Sequence, residues 1–272
     1  MCWRKIKTRH RDEPKFAVLA YGKLGGKELG YASDLDMVFV HDDDAPESAE
    51  VYTRLGQRTN TWLSAQTPAG HLFETDLRLR PNGDSGLMVV SLDAFRQYQL
   101  ENAWVWEHQA LTRARFAAGD REIGRKFEEI RIEVLRQPRD LATLRDEVLA
   151  MRQRMVDAHP NKTALFDLKH DRGGLIDVEF IVQYLVLGHA CEHASLTGNL
   201  GNIALLKMAG ELGLIPVDQA TAVADTYREY RRLQHGLRLN NQASRVDPEQ
   251  VTGMAAGVSG LWNCVFGDTL PD

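Results

Sequence analysis

FAVLAYGKLGGKELGYASDLDMVFV, residues 16–40, decides the architecture of the first part of the chain. FAVLAYG is a short apolar run closed by a glycine, the pattern of a buried strand. KLGGKELGYAS is too rich in glycine for a regular element and reads as a loop entering a short helical turn. DLDMVFV then alternates. On an extended chain Asp34 and Asp36 share a face with Val38 and Val40, while Leu35, Met37 and Phe39 take the other. Both faces are apolar beyond the acids, so the strand is expected to be covered on both sides, with only its leading end acidic.

Outward from this core, residues 48–66 place Val51, Leu55 and Trp62 on one stripe, which predicts an amphipathic helix on the sheet. HLFETDLRLRP reads as another strand with Glu74, Asp76, Arg78 and Arg80 on one face. PNGDSG predicts a tight turn or hairpin loop into the apolar strand LMVVS. Beyond about residue 92 the strand signal disappears. Asp120 is the expected N-cap of EIGRKFEEIRIEVLRQ, and Pro138 its stop. Leu141, Leu144, Val148, Met151 and Met155 follow at heptad-like spacing. Residues 174–190 are apolar nearly all round and mark a core helix, and Val223, Tyr227, Tyr230 and Leu237 line a later one. The tail after about residue 243 shows no pattern. The expectation is an α+β fold: a small mixed β-sheet flanked by helices over residues 1–118, then an all-α bundle over 119–272, parting near residues 117–121, at AAGD.

Apolar residues make up 43% and charged residues 26% of the 272, close to the ordinary globular balance, which excludes a disordered or collagen-like chain. Mean hydropathy is −0.35. No apolar stretch approaches the roughly 18 residues of a membrane span, and MCWRKIKTRHRDEPK lacks the apolar core of a secretory signal; a cytoplasmic, membrane-free protein is expected. A net charge of −5 disfavours a nucleic-acid partner, although a few basic groups suffice to hold a nucleoside triphosphate. Cys2, Cys191 and Cys264 are odd in number and form no C-x-x-C pair, so they read as reduced thiols.

The chemical signal is G-G-x6-S-D-x-D, formed by Gly25, Gly26, Ser33, Asp34 and Asp36, with a third acid, Asp76, in TDLRLRP. Two carboxylates two residues apart on a strand point the same way and can share a hard divalent cation. A third from a neighbouring strand can complete a second metal. The diglycine lets backbone amides approach a phosphate, and the Ser33 hydroxyl adds a donor. A lone D-x-D carries little weight, because acids at a strand end are usually solvated. The flanking apolar strands and the third acid with its two arginines give it meaning. The pattern resembles the nucleotidyltransferase fold typified by DNA polymerase β.

YGKLGGKELGYASDLDMVFVHD, FETDLRLRPNGDSG, WEHQALTRAR and FDLKHDRGGLIDVEFIVQYLVL narrow this. Over about residues 16–240 the chain resembles the bacterial glutamine synthetase adenylyltransferase family. Proteins of that family carry two related units, one that removes AMP and one that adds it. SDLD, WEHQALTRAR and the pairing of DLK with GGLIDVEF resemble the C-terminal, adenylylating unit, which implies that the chain is about half of the family's protein. The implied reaction moves AMP from ATP to a tyrosine hydroxyl of glutamine synthetase with magnesium, two ions being expected, and the PII signalling protein as a regulator. By that resemblance Asp34 and Asp36 hold the metal on the triphosphate, and Asp76 completes the second and can take the phenolic proton. Gly25, Gly26 and Ser33 hold phosphates, Arg78 and Arg80 balance the departing pyrophosphate, and Lys169 reaches the nucleotide from the second domain. Asp177 and Glu179 suit the start of a helix on dipole grounds alone, with a ligand role as the alternative. Phosphorolytic removal of AMP is the rival activity. A non-catalytic nucleotide- or regulator-binding module has no need of all three acids.

Overall fold

A computed structural model describes residues 2–31, 33–71 and 73–267. The chain falls into two units, Met1–Leu135 and Arg136–Asp272.

In the first unit, β1 (Phe16–Ala20) and β2 (Leu35–His41) are antiparallel, with Phe16 opposite His41 and Ala20 opposite Met37. The glycine segment between them contains one helical turn, α1 (Gly22–Gly25). Met37, Val38, Phe39 and Val40 are all buried, so both faces of β2 are covered, as the alternation requires. The Met37 and Phe39 face packs with Phe16, with Val51, Tyr52 and Leu55 of α2 (Ser48–Leu63), and with Val89. Trp62 does not join that stripe. The helix buries nothing beyond Gly56, and Trp62 stands 52% exposed with the Lys5 ammonium 5.2 Å from its ring centre.

The strand expected over HLFETDLRLRP is reduced to β3 (Thr75–Asp76), parallel to β2. It stops because the Asp76 carboxylate accepts the Arg78 amide at 2.8 Å, turning the chain. Arg78 and Arg80 therefore do not share a strand face with Asp76. PNGDSG is not a hairpin loop: Asn82 is left-handed (φ 61°), a 3-10 turn spans Gly83–Ser85, and β4 (Val89–Ser91) runs parallel to β2. Ser91 accepts the Ala94 amide at 3.2 Å and starts α3 (Leu92–Glu101), which is followed by α4 (Val105–Leu111). A further strand, β5 (Arg115–Gly119), pairs antiparallel with β1. The result is a mixed five-stranded sheet in the order β3-β2-β1-β5, with β4 also on β2. Directly after β5, the Asp120 carboxylate accepts the Glu122 amide at 2.8 Å and opens α5 (Arg121–Leu135). That helix buries Ile123, Phe127, Ile130 and Val134 and packs on β5 and β1.

Among its described residues the second unit is helical apart from one short ladder. Leu144 and Val148 of α6 (Leu141–Ala158) are buried, whereas Leu141 at the head of the expected seam is 41% exposed. After β6 (Phe166–Asp167) comes α7 (Leu175–His189), buried nearly all round as its composition requires. Next are α8 (Asn202–Glu211) and α9 (Val217–Leu239), whose buried face carries Val223, Tyr227 and Tyr230. β7 (Arg245–Val246) pairs antiparallel with β6. The segment without sequence pattern forms α10 (Thr252–Phe266), which buries Val258, Leu261, Trp262 and Phe266. Among the described residues no helix is long and apolar enough to cross a membrane.

Candidate functional site

The parallel pairing of β2 with β3 sets Leu35 opposite Thr75 and Asp36 opposite Asp76. Both strands are anchored beside the acids, since the Leu35 amide donates to Glu74 O at 2.8 Å and the Tyr21 amide to Asp36 O at 2.9 Å. Asp34 precedes β2 and is exposed. Burial, reinforced by the charges of Asp76 and then Asp34, pushes the Asp36 carboxyl up to about 6, against partial relief from Lys23 and Arg113. Asp76 moves the other way. Hydrogen bonds from the Arg78 guanidinium hold its carboxyl below the usual range: Nε reaches Oδ2 at 2.9 Å and Oδ1 at 3.1 Å, and Nη2 reaches Oδ2 at 2.5 Å.

The glycine segment makes room for Asp36. Gly22 is left-handed (φ +51°), and a Cβ there would stand 2.2 Å from Asp36 Oδ2. Gly22 thus joins Gly25 and Gly26 in the site, and its place closing the apolar run is the one sequence signal that marks it. At Gly25 a Cβ would lie 2.1 Å from Arg113 O and 2.6 Å from Ala20 O, so this position packs backbone on backbone. The Gly25 and Gly26 amides donate to Tyr21 O at 2.7 Å and Gly22 O at 3.0 Å, which closes the turn. Ser33 is buried, and its Oγ accepts the Gly30 amide at 3.0 Å.

The two arginines of TRAR brace this segment, a role the sequence reading did not assign. Arg113 pairs with Glu28 at 2.6 Å, and Arg115 donates to Gly25 O at 3.1 Å and Leu24 O at 3.0 Å, satisfying carbonyls at the end of α1. Arg80 donates to Leu77 O at 2.8 Å and Asp84 O at 3.1 Å, fastening the loop after β3.

In the second unit, Lys169 is exposed, with its amide donating to Asp167 Oδ1 at 2.9 Å. Asp177 is fully buried: Arg152 Nε donates to Oδ1 at 2.6 Å and the Gly173 amide to Oδ2 at 2.6 Å. This carboxylate holds α6, α7 and the Gly173 turn together. Glu179 accepts the Tyr227 hydroxyl at 3.0 Å.

Among the described residues, no three histidines, cysteines or carboxylates stand close enough to enclose a metal as they are. The donor set nonetheless fits a hard divalent cation. Asp36 and Asp76 offer oxygen ligands at one register position, and Asp36 is under like-charge pressure that a cation relieves. The oxygens of Asp76 are held by Arg78.

Residues 2–130 match the family model described as Glutamate-ammonia ligase adenylyltransferase, and residues 143–247 match the one described as GlnD PII-uridylyltransferase. Over 98% of its length the chain is similar to curated proteins named bifunctional glutamine synthetase adenylyltransferase/adenylyl-removing enzyme. Identity is 68% with the protein of Aromatoleum aromaticum, 57% with that of Nitrosomonas europaea and 58% with that of Bordetella bronchiseptica. The chain spans 28%, 30% and 28% of these relatives, which corrects the expectation of about half.

Proposed function

We propose that the chain, whose residues 2–130 match the glutamate-ammonia ligase adenylyltransferase family model, transfers AMP from ATP to a tyrosine hydroxyl of glutamine synthetase and releases pyrophosphate. The observation that carries this reading is the placement of Asp36 opposite Asp76 on adjacent strands, with the left-handed Gly22 clearing the space over Asp36. A bound magnesium ion neutralises triphosphate charge and lowers the pKa of an attacking phenol from its ordinary value of about 10.

Asp34 and Asp36 bind and orient the metal-bound triphosphate. Asp76 accepts the phenolic proton as the tyrosine oxygen bonds to the α-phosphorus and the bond to pyrophosphate breaks. Arg78, whose guanidinium is 73% exposed, balances charge on the leaving group. Gly25, Gly26 and Ser33 shape the loop beside the phosphates, and Arg113 and Arg115 keep that loop rigid. The direction of transfer rests on the likeness of SDLD and WEHQALTRAR to the adenylylating unit. PII signalling protein is the proposed regulator, in keeping with the match of residues 143–247.

The test is a comparison of Asp36→Asn with Asp76→Asn in steady-state AMP transfer. Loss of the Asp36 charge should chiefly weaken binding of magnesium-ATP. Loss of Asp76 should lower kcat by about a hundredfold or more with little change in ATP affinity. Full activity in either variant would remove the basis of the reading.

A further inference from the structure

We propose that Arg78 is a partner-switching residue: in the nucleotide-free protein its guanidinium occupies the Asp76 carboxylate, and on nucleotide binding it transfers to the phosphates and leaves Asp76 to the metal. The inference rests on the nucleotidyltransferase reading above. It starts from an asymmetry within the pair. The Asp76 side chain is 17% exposed and is held by its own turn, because the Arg78 backbone amide donates to Oδ1 at 2.8 Å whatever the guanidinium does. The Arg78 side chain is 73% exposed and bonds through Nε and Nη2 to Asp76. The acid is thus fixed and its counter-ion is free to swing.

An ion pair with one partner mostly in water is weak, so exchanging it for a triphosphate is a small step. A guanidinium fork fits carboxylate and phosphate equally well. Arg80, two residues on, has no such freedom: its nitrogens are committed to Leu77 O, Asp84 and Gly86 O. Of the two arginines in the motif, one is therefore a staple and the other a switch. While Arg78 sits on Asp76 it competes with any cation for those oxygens. It also screens the repulsion between Asp76 and Asp36, which stand at one register position.

The experiment titrates Mn2+ into the full chain and follows the electron-paramagnetic signal of the free ion, with and without ATP, in wild type, Arg78→Ala, Arg78→Lys and Asp76→Asn. Without ATP, Arg78→Ala should bind Mn2+ about fivefold more tightly than wild type, because the competing cation is gone. ATP affinity should fall by a similar factor, because the same group is missing from the phosphates. Arg78→Lys, a one-pronged cation, should fall between the two, and it carries the comparison if the alanine variant misfolds. Combining Arg78→Ala with Asp76→Asn should abolish the gain in Mn2+ affinity. Unchanged or weaker Mn2+ binding in Arg78→Ala and Arg78→Lys, with wild-type ATP binding intact, overturns the switch and leaves the nucleotidyltransferase reading standing. If wild type takes up no Mn2+ even with ATP, both fall together.

Discussion

Asp36 and Asp76 stand opposite one another on adjacent parallel strands, and their carboxyls are driven in opposite directions, Asp36 upward to about 6 and Asp76 downward by Arg78. A site that keeps an acid under repulsion in its free form gives up stability for affinity, and the consequence is measurable.

Because Asp36 binds its proton more tightly in the folded than in the unfolded chain, its contribution to stability is fully present below about pH 4 and is lost as pH rises through about 6. Asp36→Asn removes that loss. At pH 7.5 the variant should be more stable than wild type by about 1–2 kcal/mol, discounted for partial solvent access, and the difference should vanish near pH 4. Denaturant unfolding across that pH range checks it; an asparagine variant less stable at pH 7.5 would make Asp36 a structural residue.

Gly22, Gly25 and Gly26 should differ in tolerance to alanine. Gly25→Ala forces a Cβ against two backbone carbonyls and should cost about 3 kcal/mol or more. At Gly22 the left-handed backbone and the Asp36 carboxylate together should cost about 1–3 kcal/mol. Gly26→Ala meets only the Arg113 guanidinium, at 2.8 Å, which can shift, and should cost about 1 kcal/mol or less. Urea midpoints of the three variants give the order directly, and a Gly26 variant as unstable as that of Gly25 would contradict it.

How much of this was legible follows from the residues themselves. β2 announced itself because its alternation and its double apolar character are one pattern, and the acids marked which end is open. β3 misled, since ETDLRLR alternates like a strand while Asp76 turns the chain by accepting the Arg78 amide. β5 was invisible: RFAAG is an edge strand on β1 with Ala117, Ala118 and Gly119 exposed, so burial imposes no apolar alternation. In α10, glycines and alanines dilute the face formed by Val258, Leu261, Trp262 and Phe266. For the site, residue types were readable and partners were not. Asp177 and Glu179 look alike in sequence, yet one is a buried counter-ion to Arg152 and the other accepts from Tyr227.

The buried Asp177–Arg152 pair should be costly to break. Asp177→Asn keeps the shape but leaves Arg152 buried without its counter-charge, which should destabilise the second unit by about 3 kcal/mol or more. Calorimetry of the variant decides between this and a ligand role. A variant with unchanged unfolding and impaired nucleotide binding would assign Asp177 to the ligand instead.

The most direct measurement is transfer of label from α-phosphate-labelled ATP, with magnesium and this chain, to unmodified glutamine synthetase. The predicted result is labelled AMP on a tyrosine with release of pyrophosphate, absent when that tyrosine is replaced by phenylalanine and reduced by about a hundredfold or more in Asp76→Asn. The contradicting result is a blank forward assay together with release of ADP from adenylylated synthetase and phosphate, which would make this chain the adenylyl-removing catalyst.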